Sequence, residues 1–266
     1  MRKLGFLVAP LTVVALIGVP AAVGSAAAGA QTQPTPEVTT FCDAAFKVDS
    51  ALNKVFSTKK PSSKLKQEAD QTLAQAESTA PPDIAATVQS VVGTIRNAIQ
   101  SGQNPEQLFR DPTLEADSQA IDAYRYNSCG YNQVEVTGIE YEFRGLPKTL
   151  PPGKTAFKLT DDGTELHMLD LFRIKTKDSL KKLLGMSEKE AMKKTEEVGS
   201  ADVTTIGGSA YFVTDLKPGR YGAVCFFPVG ATDLSKLENA KGQPHWKKGM
   251  YQEVKVQAGS TTTSAG

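Results

Sequence analysis

The apolar residues of this chain repeat at helical spacing up to Ser128 and at strand spacing after Gly130, which limits the fold to a helical part followed by a β part. Val38, Phe41, Cys42, Ala45, Leu52, Val55 and Phe56 recur at intervals of three, four and seven. Pro61-Ser62 opens a second helix with Leu65, Ala69, Leu73 and Ala76 on one face. Pro81-Pro82-Asp83 signals a third start, because proline is tolerated in a first helical turn, where no internal N–H bond is needed. Ile84, Val88, Val91, Val92, Ile95 and Ile99 then form a stripe that Gly102 ends, and Asp111-Pro112-Thr113 begins a fourth helix with Leu114, Ala120, Ile121 and Tyr124. Short links between amphipathic helices predict an up-down-up-down four-helix bundle over residues 37–130.

Beyond Gly130 the alternation is two-fold. Val134 to Phe143, Thr155 to Thr160, Leu166 to Ile174, Ala210 to Leu216, Tyr221 to Phe227 and Tyr251 to Val256 read as strands. Pro151-Pro152-Gly153, Asp161-Asp162-Gly163, Gly207-Gly208 and Lys217-Pro218-Gly219 punctuate them. Many short strands with such turns imply a sandwich or barrel over residues 131–258. Asp178 to Val198 breaks the pattern with Leu180, Leu183, Leu184 and Met192 among lysines and glutamates, and is expected to be an inserted helix covering the sandwich.

The first residues carry an export signature. Arg2 and Lys3 precede the apolar run Leu4 to Val19, and small residues follow to Ala28-Gly29-Ala30, a cleavage pattern. Residues 1–30 are therefore expected to be a cleaved signal peptide, 31–36 a linker and 259–266 a disordered tail, with no membrane span in the mature chain. Export favours cysteine pairing. In an up-down-up-down bundle the start of the first helix meets the end of the fourth, so Cys42 and Cys129 are expected to form a disulfide, the alternative being two buried thiols. Cys225 is then unpaired. A net charge of +1, without a basic stripe interleaved with aromatics, argues against nucleic acid as a partner.

The candidate chemistry lies in four residues. His167 shares an apolar face with Leu169 and Leu171, and Cys225 alternates with Tyr221, Ala223 and Phe227; singly, each reads as core. In chain order, however, His167, Cys225, His245 and Met250 supply the donor types that a blue-copper site uses: two imidazoles, one thiolate and a weak thioether. Nitrogen suits copper(II) and sulfur suits copper(I), so a fixed mixture serves both oxidation states.

The surrounding residues resemble the cupredoxin family. Phe157-Lys-Leu-Thr-Asp-Asp-Gly163 followed by His167 is similar to that family's F-x-x-x-N-x-G strand with its histidine. Pro218-Gly-Arg-Tyr-Gly-Ala-Val-Cys225 is similar to its P-G-x-Y-x-x-x-C strand, and His245 and Met250 precede a last strand as they do there. The match covers residues 132–258, and the layout as a whole resembles a group of secreted bacterial proteins. The resemblance implies an α+β two-domain chain with a cupredoxin-like Greek-key β-sandwich, copper as cofactor, an extracytoplasmic location and a redox or cell-envelope protein partner. The departure is the ligand loop, where about 19 residues separate Cys225 from His245 in place of a few. Two readings stay open: an exported copper protein for electron transfer or copper handling, and a metal-free cupredoxin-like scaffold or partner-binding module. No H-E-x-x-H, G-x-S-x-G, P-loop or C-x-x-C motif occurs, so no enzyme activity is expected.

Overall fold

The computed structural model describes residues 33–108, 111–234, 237 and 240–259. The expected signal peptide at 1–30 and residues 260–266 of the expected tail lie outside the described residues. The chain is α+β, with helices first and two mixed sheets after them.

Each long helix starts where the sequence offers a cap or lies close to it. α1 (Pro36–Ser57) has Thr35 accepting from the Val38 N–H and proline in its first turn, so Pro36 is helical rather than part of a linker. α2 (Ser63–Thr79) is capped by Ser62, whose side chain accepts from the Leu65 N–H. α3 (Ala85–Ser101) begins beyond the proline pair, and Gly102 ends it in the left-handed conformation at φ 69°. After the short α4 (Pro105–Leu108), α5 (Pro112–Ser128) starts on Asp111, which accepts from the Thr113 and Leu114 N–H groups. Phe41, Leu73, Val88, Val92, Ile95 and Leu114 meet in one apolar cluster. Cys42 near the start of α1 and Cys129 at the end of α5 are joined, with Cα atoms 5.7 Å apart. None of the described helices is long and apolar enough to cross a membrane.

Among the described residues nine strands follow: β1 (Asn132–Ile139), β2 (Glu142–Arg144), β3 (Thr149–Leu150), β4 (Gly153–Asp161), β5 (Met168–Ile174), β6 (Thr195–Asp202), β7 (Ser209–Leu216), β8 (Gly219–Val224) and β9 (Tyr251–Val256). They form one sheet in the order β2-β1-β4-β7 and another in the order β3-β9-β8-β5-β6. β1 runs parallel to β4 and β3 parallel to β9, and the other pairs are antiparallel. Val136, Phe157, Leu159, Leu169, Leu171, Tyr221 and Val254 fill the space between the sheets. The Phe157 and Phe212 rings stack at 4.6 Å on paired residues of β4 and β7.

The insert differs from expectation. The stretch 178–198 is not one helix: α6 (Leu180–Leu184) ends at Gly185, and Ser187 starts α7 (Glu188–Lys194) through a capping box with Glu190. Residues from Thr195 onward pair with β5 as the edge strand β6. Leu180 and Leu183 of α6 are buried with Ile174 and Val224, which fastens the insert to the outer face of the sheet.

The helices rest on the sandwich through α5. The Gln119 amide takes both backbone groups of Tyr211, accepting from its N–H at 2.8 Å and donating to its C=O at 3.4 Å. Gln133 Nε2 donates to the Tyr126 carbonyl at 2.7 Å, and Lys154 pairs with Asp43. Ala156, Tyr211 and Val213 of β4 and β7 belong to the helical apolar cluster.

The Cys42–Cys129 bond spans a sequence separation of 87. Closing a loop of that length is worth roughly 4 kcal/mol in the chain-entropy model. The double substitution Cys42→Ser/Cys129→Ser should lower the unfolding free energy by about that amount in urea titrations. Reductant should do the same to the unmodified chain and leave the double variant unchanged.

Candidate functional site

Both sheets end at one corner where four sequence positions converge. Asp161 closes β4, His167 immediately precedes β5, Cys225 immediately follows β8, and Met250 immediately precedes β9. Antiparallel pairing sets Asp170 opposite Val224 and Val224 opposite Tyr251, so the starts of β5 and β9 flank the end of β8. The Cys225 N–H donates to the Met250 carbonyl at 3.1 Å, and the Met250 N–H to the His245 carbonyl at 3.2 Å.

The long loop returns because its stem is paired. Pro228 and Pro244 form a β-bridge, the Val229 N–H donates to the Gln243 carbonyl at 2.9 Å, and the His245 N–H donates to the Phe227 carbonyl at 2.8 Å. The two stem strands approach so closely that a Cβ on Gly242 would lie 2.1 Å from the Val229 carbonyl oxygen. His245 therefore starts a 3₁₀ turn, His245–Lys248, beside Cys225 despite the intervening excursion.

His167, Cys225, His245 and Met250 are all sealed from solvent, each at 0% exposure. Cys225 Sγ lies 3.4 Å from His245 Nδ1, and the two imidazole rings are 5.1 Å apart between centroids. The Met168 N–H points at the sulfur from 3.5 Å, and the Phe227 N–H also bonds it. Burial pushes the thiol up to about 12, against the opposite pull of those two amides.

Each imidazole is held by a carboxylate. Glu165 Oε2 accepts from His245 Nε2 at 2.9 Å and from the Gly230 N–H at 2.8 Å, while Tyr141 Oη donates to Oε1 at 3.3 Å. A hydrogen on His245 Nε2 leaves the Nδ1 lone pair facing the thiol. Asp161 Oδ1 accepts from His167 Nδ1 at 2.8 Å and from the Gly163 N–H at 3.1 Å. His167 Nε2 and Asp161 Oδ2 are buried without a partner among the described residues. Glu140 binds the loop over which His167 sits: burial raises its pKa, but the N–H groups of Thr164 and Glu165 and the Thr164 hydroxyl lower it further, to about 2.

The geometry thus brings Cys225 and His245 into contact, sets the Met250 backbone between them and places the His167 ring beside that of His245. His167 Nδ1 is engaged by Asp161 rather than directed at the sulfur. Among the described residues no three His, Cys, Asp or Glu side chains meet closely enough to hold an ion. Cys42 and Cys129 lie apart from this corner in their own bond.

Sequence reasoning missed Asp161, Glu165 and the two glycines that make room for His167. Asp161 and Gly163 read as a turn, which they also are. A Cβ on Gly138 would fall 2.9 Å from His167 Cβ, and one on Gly163 2.6 Å from His167 Cε1.

No protein-family model and no curated protein matches this chain. Among solved structures it is similar to reduced auracyanin from the photosynthetic bacterium Roseiflexus castenholzii, at 15% identity over 47% of this chain and 97% of that one, with a TM-score of 0.33. It is also similar to auracyanin A, a blue copper protein from Chloroflexus aurantiacus, at 12% identity over 48% of this chain and 100% of that one, TM-score 0.31. Rusticyanin from Thiobacillus ferrooxidans matches at 12% identity over 48% and 79% of the respective chains, TM-score 0.29. The C-terminal half is built of two β-sheets, in the orders β2-β1-β4-β7 and β3-β9-β8-β5-β6.

Two outcomes follow from this packing. Gly138→Ala should overpack the His167 pocket and cost about 1–3 kcal/mol in chemical denaturation. Burial first, and His167 second, hold the His245 pKa below the ordinary histidine value. The folded chain then takes up that proton less readily than the unfolded one, so the contribution is complete above about pH 6.5 and is lost as pH falls below it. The urea midpoint of metal-free protein should therefore drop between pH 7 and 5, with a shallower drop in His245→Gln.

Proposed function

We propose that the sandwich is an extracytoplasmic copper-binding module in which Cys225, His245 and His167 hold one ion and Met250 supplies a weak fourth donor. The observation that carries this reading is a buried thiol 3.4 Å from an imidazole nitrogen and bonded by two backbone amides. A neutral thiol is a poor acceptor and gains little from two N–H donors, whereas a metal-bound thiolate is stabilised by them. The donor chemistry also fits: two imidazoles, each with a carboxylate on one nitrogen and a lone pair left on the other, beside soft sulfur. The unpartnered His167 Nε2 is such a lone pair, costly to bury unless something binds it.

Copper, when bound, would cycle between its two oxidation states and so carry one electron or be passed on as cargo. The protein's share is to exclude water, hold both tautomers and fix the sulfur. We read residues 37–130 as a helical bundle, residues 131–258 as the metal-binding domain, and the chain as a carrier rather than an enzyme. The leader pattern at 1–30 and the disulfide support export, and a redox or cell-envelope protein would be its partner.

A second reading, a metal-free scaffold, is favoured by the Asp161 bond to His167 Nδ1 and by the lack of a three-residue cluster among the described residues. Copper(II) titration separates the two. The first reading expects one equivalent bound, with an intense visible thiolate-to-copper band that Cys225→Ala abolishes and Met250→Leu shifts. Protein that stays colourless and copper-free after dialysis establishes the second.

A further inference from the structure

The helical part holds a feature that the copper reading does not use. A cavity of about 200 Å³ lies among α1, α2, α3 and α5, walled by Leu52, Leu73, Val92 and Ile121. Its polar end is Arg125 with Asp49 and Asp122, which also line it. Arg125 is 4% exposed; one terminal nitrogen donates to Asp49 Oδ2 and the other to Asp122 Oδ1, both at 2.8 Å. Its Nε–H is buried and has no acceptor among the described residues. A guanidinium so deeply buried at the end of an otherwise apolar space, with one nitrogen left without a partner, has the chemistry of a polar anchor for a small molecule.

We propose that this cavity binds a neutral amphiphile, a straight-chain or compact alcohol of about eight carbons, with its hydroxyl at Arg125 and its apolar body between the helices. Size follows from volume: an apolar cavity of about 150 Å³ accepts benzene, and this one is somewhat larger. Head-group chemistry follows from charge. The oxygen of an alcohol accepts from Nε–H while its hydrogen serves one of the aspartates. A carboxylate would meet two like charges, Asp49 and Asp122. An ammonium offers no acceptor to Nε–H at all.

The test uses 1-octanol, octanoate and octylammonium as probes with the purified full chain, read by methyl chemical shifts of valine, leucine and isoleucine. Octanol should bind saturably, moving methyls of the helical cluster and not those of the sandwich, with the two charged probes at least tenfold weaker. Ser118 lines the cavity and is partly exposed, so Ser118→Phe should fill the space and weaken octanol at least tenfold while the circular dichroism spectrum stays helical. Arg125→Lys, which lacks the Nε–H, should reduce the preference for octanol over octylammonium. Absent saturation, equal binding of octanoate, or octanol binding unchanged in Ser118→Phe would overturn the proposal.

Discussion

At the base of the 226–244 excursion, the backbone of Phe227 accepts from His245 while that of Met250 accepts from Cys225. These bonds fix the distance between the sulfur and the imidazole, and the rest of the corner is arranged around them. A loop of this length has no intrinsic reason to return its far end to its start, and its closure entropy grows with length. Pairing of the stem at Pro228 and Pro244 makes the effective loop much shorter than the sequence interval.

Around that fixed pair the site is built from neutral groups made specific by charged ones at their backs. Glu165 is partly exposed, with its side chain at 16%, and it faces His245, which is fully buried. The arrangement keeps a carboxylate in contact with water while it determines which imidazole nitrogen is protonated. Asp161 does the same for His167 at the cost of full burial, and one of its oxygens goes unpaired among the described residues. Such a buried, under-satisfied carboxylate is expensive to fold around. Its persistence next to an unpaired imidazole nitrogen is explained more simply by a function than by packing.

The period switch at Gly130 and the helix starts at Ser62 and Asp111 were legible in the sequence, because each depends on local spacing, whereas the cap at Thr35 lay in a stretch read as linker. The pairing of Cys42 with Cys129 was legible because helix count alone fixes which ends meet. What escaped depends on contacts between residues far apart in the chain. Nothing local distinguishes Gly138 as the residue under His167, or Glu165 as the partner of a histidine 80 positions away. The parallel pairs β1–β4 and β3–β9 were invisible for the same reason, since alternation gives a strand but not its neighbour. The insert misled because lysine and glutamate satisfy helix periodicity across Gly185, where one capped helix ends and another begins.

β4 ties these levels together. Ala156 faces the helical cluster, Phe157 and Leu159 face the sandwich core, and Asp161 at the end of the same strand holds His167. A strand buried on both faces near its start and on one face near its end cannot slide by one residue, because a slip would exchange its two faces. The position of Asp161 is therefore set jointly by α5, which seals one side through Gln119 and Tyr211, and by the opposite sheet. The helices are thus more than an appendage to the sandwich: by covering β4 and β7 they fix the register of the strand from which one histidine of the candidate site is oriented.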